Sequence, residues 1–154
     1  MNVIEPEQKA PAFKLLDQNE SQVKLSDFKG KKLLLYFYPK ALTPGCTTQA
    51  CAVTDAKEEL EKLNIVPLAI SPDKPSLLKR FEDKKSLNFT LLSDPDHAVA
   101  DAYGVWGEKK MYGKSYMGIV RSSFLIDESG KVTHVWYKVS PKDTVANAVK
   151  AVAE

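Results

Sequence analysis

Cysteine and histidine are scarce: two of each in 154 residues. A disulfide-stapled scaffold is therefore excluded. A zinc or iron–sulfur centre needs about four ligands, and one Cys-x4-Cys pair does not reach that number. His97 and His134 fall in different predicted elements, one at a capped helix start and one in a strand, and do not complete such a set. No Cys-x-x-Cys pair is present, so dithiol-reductase chemistry of that type lacks its motif. A cysteine hydrolase would need a histidine base, and nothing in the sequence marks either histidine for that role. Charge of one sign is also missing. Lys and Arg number 22 against 20 Asp and Glu, and the lysines are scattered among acids, which excludes a nucleic-acid partner. The longest apolar run, Leu33 to Tyr38, is far too short to cross a membrane. The first residues, Met1 to Glu7, have neither the basic start nor the apolar segment of a signal peptide, so a cytoplasmic location is expected. In such a reducing compartment a disulfide is transient and catalytic rather than structural.

What is present is an ordinary globular composition, 44% apolar and 27% charged, in a chain long enough for one core. Repeats, low-complexity tracts and linkers are absent, so residues 1–154 are expected to form a single domain. Ala12 to Leu16 and Gln22 to Leu25 flank a polar turn and predict a hairpin. Ser26 to Gly30 is a helical turn. Leu33 to Tyr38 suits a strand buried on both faces. A helix from Thr43 to about Leu63 follows. Ile65 to Ile70 is a strand with an irregular Pro67, and Asp73 to about Lys85 a helix with Leu77, Leu78 and Phe81 inward. Phe89 to Leu92 is a short strand. Ser93 to Asp96 cap a helix ending near Tyr103. Gly104 to Gly118 reads as a loop carrying Trp106, Tyr112 and Tyr116. Strands Ser122 to Ile126 and Lys131 to Tyr137 precede a last helix from near Pro141, with Val145, Val149 and Val152 inward. Alternating strands and helices imply an α/β sandwich of three layers around a central sheet.

Both cysteines lie in one stretch, Tyr36 to Cys51, running from strand end through a turn into a helix start. Thr43 suits the N-cap and Pro44 the first helical position. Cys46 then sits in the first turn, where free N–H groups and the helix dipole favour an anion and hence a thiolate. Cys46, Ala50, Val53 and Leu60 share a core-facing stripe, whereas Cys51 lines up with Asp55, Glu58 and Lys62 on a solvated one. In an intact helix Cys46 and Cys51 have Cα atoms about 8.7 Å apart. A disulfide needs no more than about 7 Å. The pair can bond only if the first turns unwind, which suits a switch. Spacing alone leaves open the alternative of two unrelated thiols.

The chemistry that fits best is peroxide reduction, which needs a stabilised thiolate, donors for the peroxide oxygens and a way to clear a sulfenic acid. Thr43 offers a hydroxyl to the peroxide, or serves only as N-cap. Pro44 shields the thiolate, or merely starts the helix. The amides of Gly45 and Cys46 are placed to hold the distal oxygen. Arg121, entering a buried strand, would hold the thiolate charged, or is a solvated surface charge. A rival from another class is a redox sensor or binding module without steady turnover, using the loop aromatics.

The segment Pro39-Lys40-Ala41-Leu42-Thr43-Pro44-Gly45-Cys46 resembles the peroxiredoxin signature Pro-x3-Thr-x2-Cys. Cys51, five residues on, resembles the resolving cysteine of the bacterioferritin comigratory protein (Q-type) subfamily. Phe89 to Asp94, Gly104 to Lys109 and Arg121 to Asp127 are similar to that subfamily as well, so the likeness spans nearly the whole chain. The resemblance implies a thioredoxin-like fold with an N-terminal hairpin extension and no cofactor or metal. It implies an antioxidant peroxidase acting on hydrogen peroxide and organic hydroperoxides. Cys46 would be the peroxidatic cysteine, with Thr43, Pro44 and Arg121 completing the site and Gln49 near the arginine. A Cys46–Cys51 disulfide would be reduced by thioredoxin or a similar dithiol. A monomer is expected.

Overall fold

The strand Lys32–Phe37 (β3) is the centre of the molecule, and all its residues from Leu33 to Phe37 are 2% exposed or less. The computed structural model describes residues 3–153. The N-terminal hairpin forms from Lys14–Asp17 (β1) and Gln22–Lys24 (β2), followed by a 3-10 turn. The other main-sheet strands are Ile65–Ser71 (β4), Thr90–Ser93 (β5), Ser122–Ile126 (β8) and Val132–Trp136 (β9). Their order is β2-β1-β5-β4-β3-β8-β9. β3 pairs in parallel with β4 and antiparallel with β8. The hairpin adds to the β5 edge.

Side chains alternate across a strand, so a continuous apolar run feeds two cores. Leu33, Leu35 and Phe37 enter one of them, which Ala98–Tyr103 (α4) covers with Val99, Ala100 and Tyr103. Leu34, Tyr36 and Tyr38 enter the other. That face is covered by Pro44–Asp55 (α1), Lys57–Lys62 (α2), Pro75–Lys85 (α3) and Thr144–Ala153 (α5). The expected three-layer, thioredoxin-like sandwich is the observed one.

Two expectations are corrected. The single helix from Thr43 to Leu63 is two helices, broken at Ala56, whose φ of −94° and ψ of 2° are not helical. No proline or glycine causes this. Asn88 Nδ2 donates to the Thr54 carbonyl at 3.3 Å, the acceptor that the amide of residue 58 would take in a continuous helix. The segment Gly104 to Gly118 is not a loop. It is a separate two-stranded hairpin, Trp106–Met111 (β6) and Lys114–Ile119 (β7). Tyr112 and Gly113 both adopt positive φ at its tip, the conformation that matches strand twist. Tyr112 is 96% exposed and does not pack down on the fold, whereas Trp106 stacks on His97 with ring centroids 3.9 Å apart. Pro67 also finds its place. It lies opposite Leu34 in β3, one residue before the β5 ladder begins at Leu68 and Thr90. Its missing N–H therefore costs no ladder bond, and the nearby Asn88 carbonyl accepts from Lys57 Nζ instead.

Candidate active site

The chain leaves β3 at Tyr38 and reverses through Leu42, which is held at a φ of 68°. The turn is pinned by Asp73 at the end of β4, whose Oδ2 accepts the Ala41 amide at 2.8 Å. Thr43 is the N-cap by position, with extended backbone, but its side chain makes no capping bond. Its hydroxyl donates to the Lys40 carbonyl at 2.7 Å instead, which leaves the oxygen's lone pairs free. Pro44 is the first helical residue and is exposed. The Thr47 amide donates to Thr43 O at 2.9 Å as the first bond of α1. The amides of Gly45 and Cys46, ahead of it, have no acceptor in the helix.

Cys46 is 2% exposed and belongs to the α1-side core with Tyr36, Tyr38 and Ala50. Arg121 immediately precedes β8, whose first residue Ser122 lies opposite Phe37 at the end of β3, and it donates from Nη2 to Cys46 Sγ at 3.4 Å. Its Nη1 donates to Gln49 Oε1 at 2.6 Å. Gln49 is fully buried, and its Nε2 donates to Thr144 Oγ1 at 2.7 Å. The Arg121 carbonyl accepts from Val139, fixing its backbone. Burial drives the Tyr36 and Tyr38 phenols well above a tyrosine's ordinary pKa. Both therefore stay neutral beside the sulfur.

The structure thus brings Thr43, Pro44, Gly45, Cys46, Gln49 and Arg121 together. Cys51 lies farther along α1, and both cysteines are free thiols. Cys51 is half-buried, while Asp55, Glu58 and Lys62, with which it was expected to line up, are exposed. A cavity of about 570 Å³ opens beside Arg121, walled by Val120, Val139, Lys109, Lys110 and Lys138. Partial burial and the Arg121 charge lower the pKa of Lys109. Sequence reasoning missed Lys109 and Thr144. The first was hidden with its hairpin, for which Tyr112-Gly113 is a weak signal; the second touches the site only through a distant helix.

Residues 6–135 match the family model described as the AhpC/TSA family. The chain is 61% identical to the putative peroxiredoxin bcp of Haemophilus influenzae, over 93% of this chain and 92% of that protein. It is 53% identical to the peroxiredoxin Bcp of Escherichia coli K12, over 97% and 98%. Among solved structures, it superposes on a mutant of Xylella fastidiosa PrxQ with a TM-score of 0.91, at 30% identity and full coverage of both chains. It superposes on Xanthomonas campestris bacterioferritin comigratory protein with a TM-score of 0.89, at 33% identity over 97% and 98%. That structural study concerns the alkyl peroxide reduction activity of the Xanthomonas protein. A redox sensor without turnover is not favoured by this company of enzymes. Sequence, fold and thiol site agree that the chain belongs to the AhpC/TSA family and is a peroxiredoxin, a thiol peroxidase that reduces a peroxide at the expense of a thiol reductant.

Proposed function

We propose that Cys46 is the peroxidatic nucleophile and Cys51 its resolving partner. The observation that carries this reading is the Arg121 guanidinium 3.4 Å from the buried Cys46 sulfur at the start of α1. The Cys46 thiolate attacks the nearer peroxide oxygen; an S–O bond forms and the O–O bond breaks. The leaving oxygen takes a proton and departs as water or alcohol. The amides of Gly45 and Cys46 and the Thr43 hydroxyl oxygen line the path of the reacting oxygens. Pro44 limits water over the sulfur. Gln49 holds Arg121. The sulfenic acid is then attacked by the Cys51 thiolate, water leaves, and a Cys46–Cys51 disulfide remains. Thioredoxin or a similar dithiol reduces it by exchange. Hydrogen peroxide and organic hydroperoxides are the substrates. The alkyl peroxide reduction of the Xanthomonas protein supports the latter. The chain acts as a cytoplasmic monomer of one domain. No described helix is long and apolar enough to cross a membrane.

The test is intact mass after one equivalent of hydrogen peroxide, with peptide mapping. A loss of about two mass units mapped to Cys46 and Cys51 is expected, since disulfide formation removes two hydrogens. Cys46→Ser should abolish turnover. Cys51→Ser should keep the first oxidation, gain one stable oxygen, and fail to recycle through thioredoxin. Full activity in Cys46→Ser would end the assignment.

A further inference from the structure

Thr144 opens α5, 95 positions from Gln49, and is fully buried. Thr144 follows a 3-10 turn and already has helical backbone, φ −57° and ψ −52°, so it is not the N-cap, and a helical threonine can turn its hydroxyl back to the carbonyl four residues before it. Thr144 does this and takes a second partner as well. Its Oγ1 accepts from Gln49 Nε2 at 2.7 Å and donates to the Ser140 carbonyl at 3.4 Å. The order of donors is forced by chemistry. A guanidinium can only donate. Gln49 must therefore turn its oxygen to Arg121, which commits its buried NH2 to the far side, where only an acceptor will satisfy it. An amide's oxygen and nitrogen ends have nearly the same shape, so packing alone does not choose between them. Arg121 favours the oxygen end from one side, and the Thr144 hydroxyl reinforces that choice from the other, because its own proton is engaged by Ser140 and a lone pair is left for Gln49.

We propose that Thr144 is a positioning residue of the reaction. It locks the Gln49 amide in the one orientation that presents an acceptor to Arg121 Nη1, and so keeps Nη2 against the Cys46 sulfur. The inference rests on the reading of Cys46 and Arg121 as the reacting pair. With Thr144 removed, a flipped amide would turn its NH2 toward the guanidinium and push the arginine away from the sulfur.

The experiment follows single-turnover oxidation of the reduced full-length protein by hydrogen peroxide, read by stopped-flow fluorescence of its two tryptophans. Thr144→Val keeps the shape and removes the acceptor; it should slow oxidation by about tenfold, the scale of one buried polar group left unpaired. Thr144→Ser, which restores the hydroxyl, should return the rate to within about twofold of wild type. In a Gln49→Glu background the further loss caused by Thr144→Val should shrink below about twofold, because a carboxylate has acceptors at both ends and no donor to misplace. Equal rates for Thr144→Val and wild type would overturn the proposal. So would a serine variant as slow as the valine one, or an undiminished penalty beside Gln49→Glu. Arg121→Met separates the two levels: if it oxidises at the wild-type rate, the reacting-pair reading itself falls. If Thr144→Val does not fold, side-chain amide exchange of Gln49 by NMR in the wild-type protein decides. Strong protection is expected, and exchange as fast as that of an exposed glutamine would overturn the lock.

Discussion

A single missing carbon is what lets the arginine reach the sulfur. A Cβ at Gly45 would lie 3.2 Å from Arg121 Nη2 and 3.7 Å from Pro141 Cγ. Gly45 has an ordinary helical φ, so alanine there strains no backbone; the flexible guanidinium is what gives way, by a few tenths of an ångström. Gly45→Ala should therefore slow the first oxidation by about several-fold, since sub-ångström misplacement of a charge-stabilising group is costly. Unfolding in urea should shift by less than about 0.5 kcal/mol, alanine being the better helix former. A loss of stability without a loss of rate would show that Gly45 serves the fold and not Arg121. At this scale the sequence was most readable where function is local. Thr43, Pro44, Gly45 and Cys46 are consecutive, so the turn and the first helical residues put them side by side, although the Thr43 hydroxyl turns to the Lys40 carbonyl instead of capping the helix. Arg121 was nominated by its entry into a buried strand. Thr144 was beyond reach, because its partner on α1 is distant in sequence and the bond between them exists only after folding.

The helix that carries the cysteines is docked unevenly. The first turns of α1 bury Cys46, Gln49 and Ala50, of which only the two small ones are apolar, while Val53, fully buried, anchors the last turn. Unwinding the start of α1 therefore exposes less apolar surface than undocking the whole helix would. Hydrogen exchange should show this. In the oxidised, disulfide form, amides 47–51 should lose protection relative to the reduced form, and amides near Val53 should keep it. An unchanged pattern in a protein carrying the Cys46–Cys51 bond would contradict the helical spacing of about 8.7 Å on which the unwinding argument stands. The same element marks where sequence legibility ends. The apolar stripe correctly put Cys46, Ala50, Val53 and Leu60 in the core. The break at Ala56 left no local trace: no proline or glycine stands there, and the side chain that takes the Thr54 carbonyl beside it, Asn88, comes from 34 residues away. The β6–β7 hairpin was missed for the opposite reason. Its second strand is largely exposed, with Tyr116 and Met117 at 42% and 55%, and its first has half-buried but no fully buried positions from Trp106 to Lys110, so no apolar alternation in the sequence distinguishes the two from a loop.

Across the whole molecule, both cores are closed with tyrosines as well as with aliphatic residues, and this sets an alkaline limit on the fold. Tyr36 and Tyr38 lie on the α1 face and Tyr103 on the α4 face, each 1% exposed or less. Burial raises all three phenol pKa values, with the neighbouring Tyr38 and Cys46 adding to the rise at Tyr36. In the unfolded chain a tyrosine loses its proton near about pH 10. Above that point the unfolded state holds fewer protons than the folded one, so stability must fall as pH rises. Below it all three are protonated in both states and their contribution is fully present. Tyr103 allows the test, because it is remote from Cys46 in the opposite core and its hydroxyl makes a single bond, to the Pro11 carbonyl at 2.8 Å. Tyr103→Phe should lower stability by about 1 kcal/mol at about pH 8, the worth of that bond. Between about pH 10 and pH 11 its melting temperature should fall less steeply than that of the wild type, so the two curves converge. Parallel curves would mean that the Tyr103 phenol ionises as easily in the folded protein as in the unfolded chain, against its burial beneath α4.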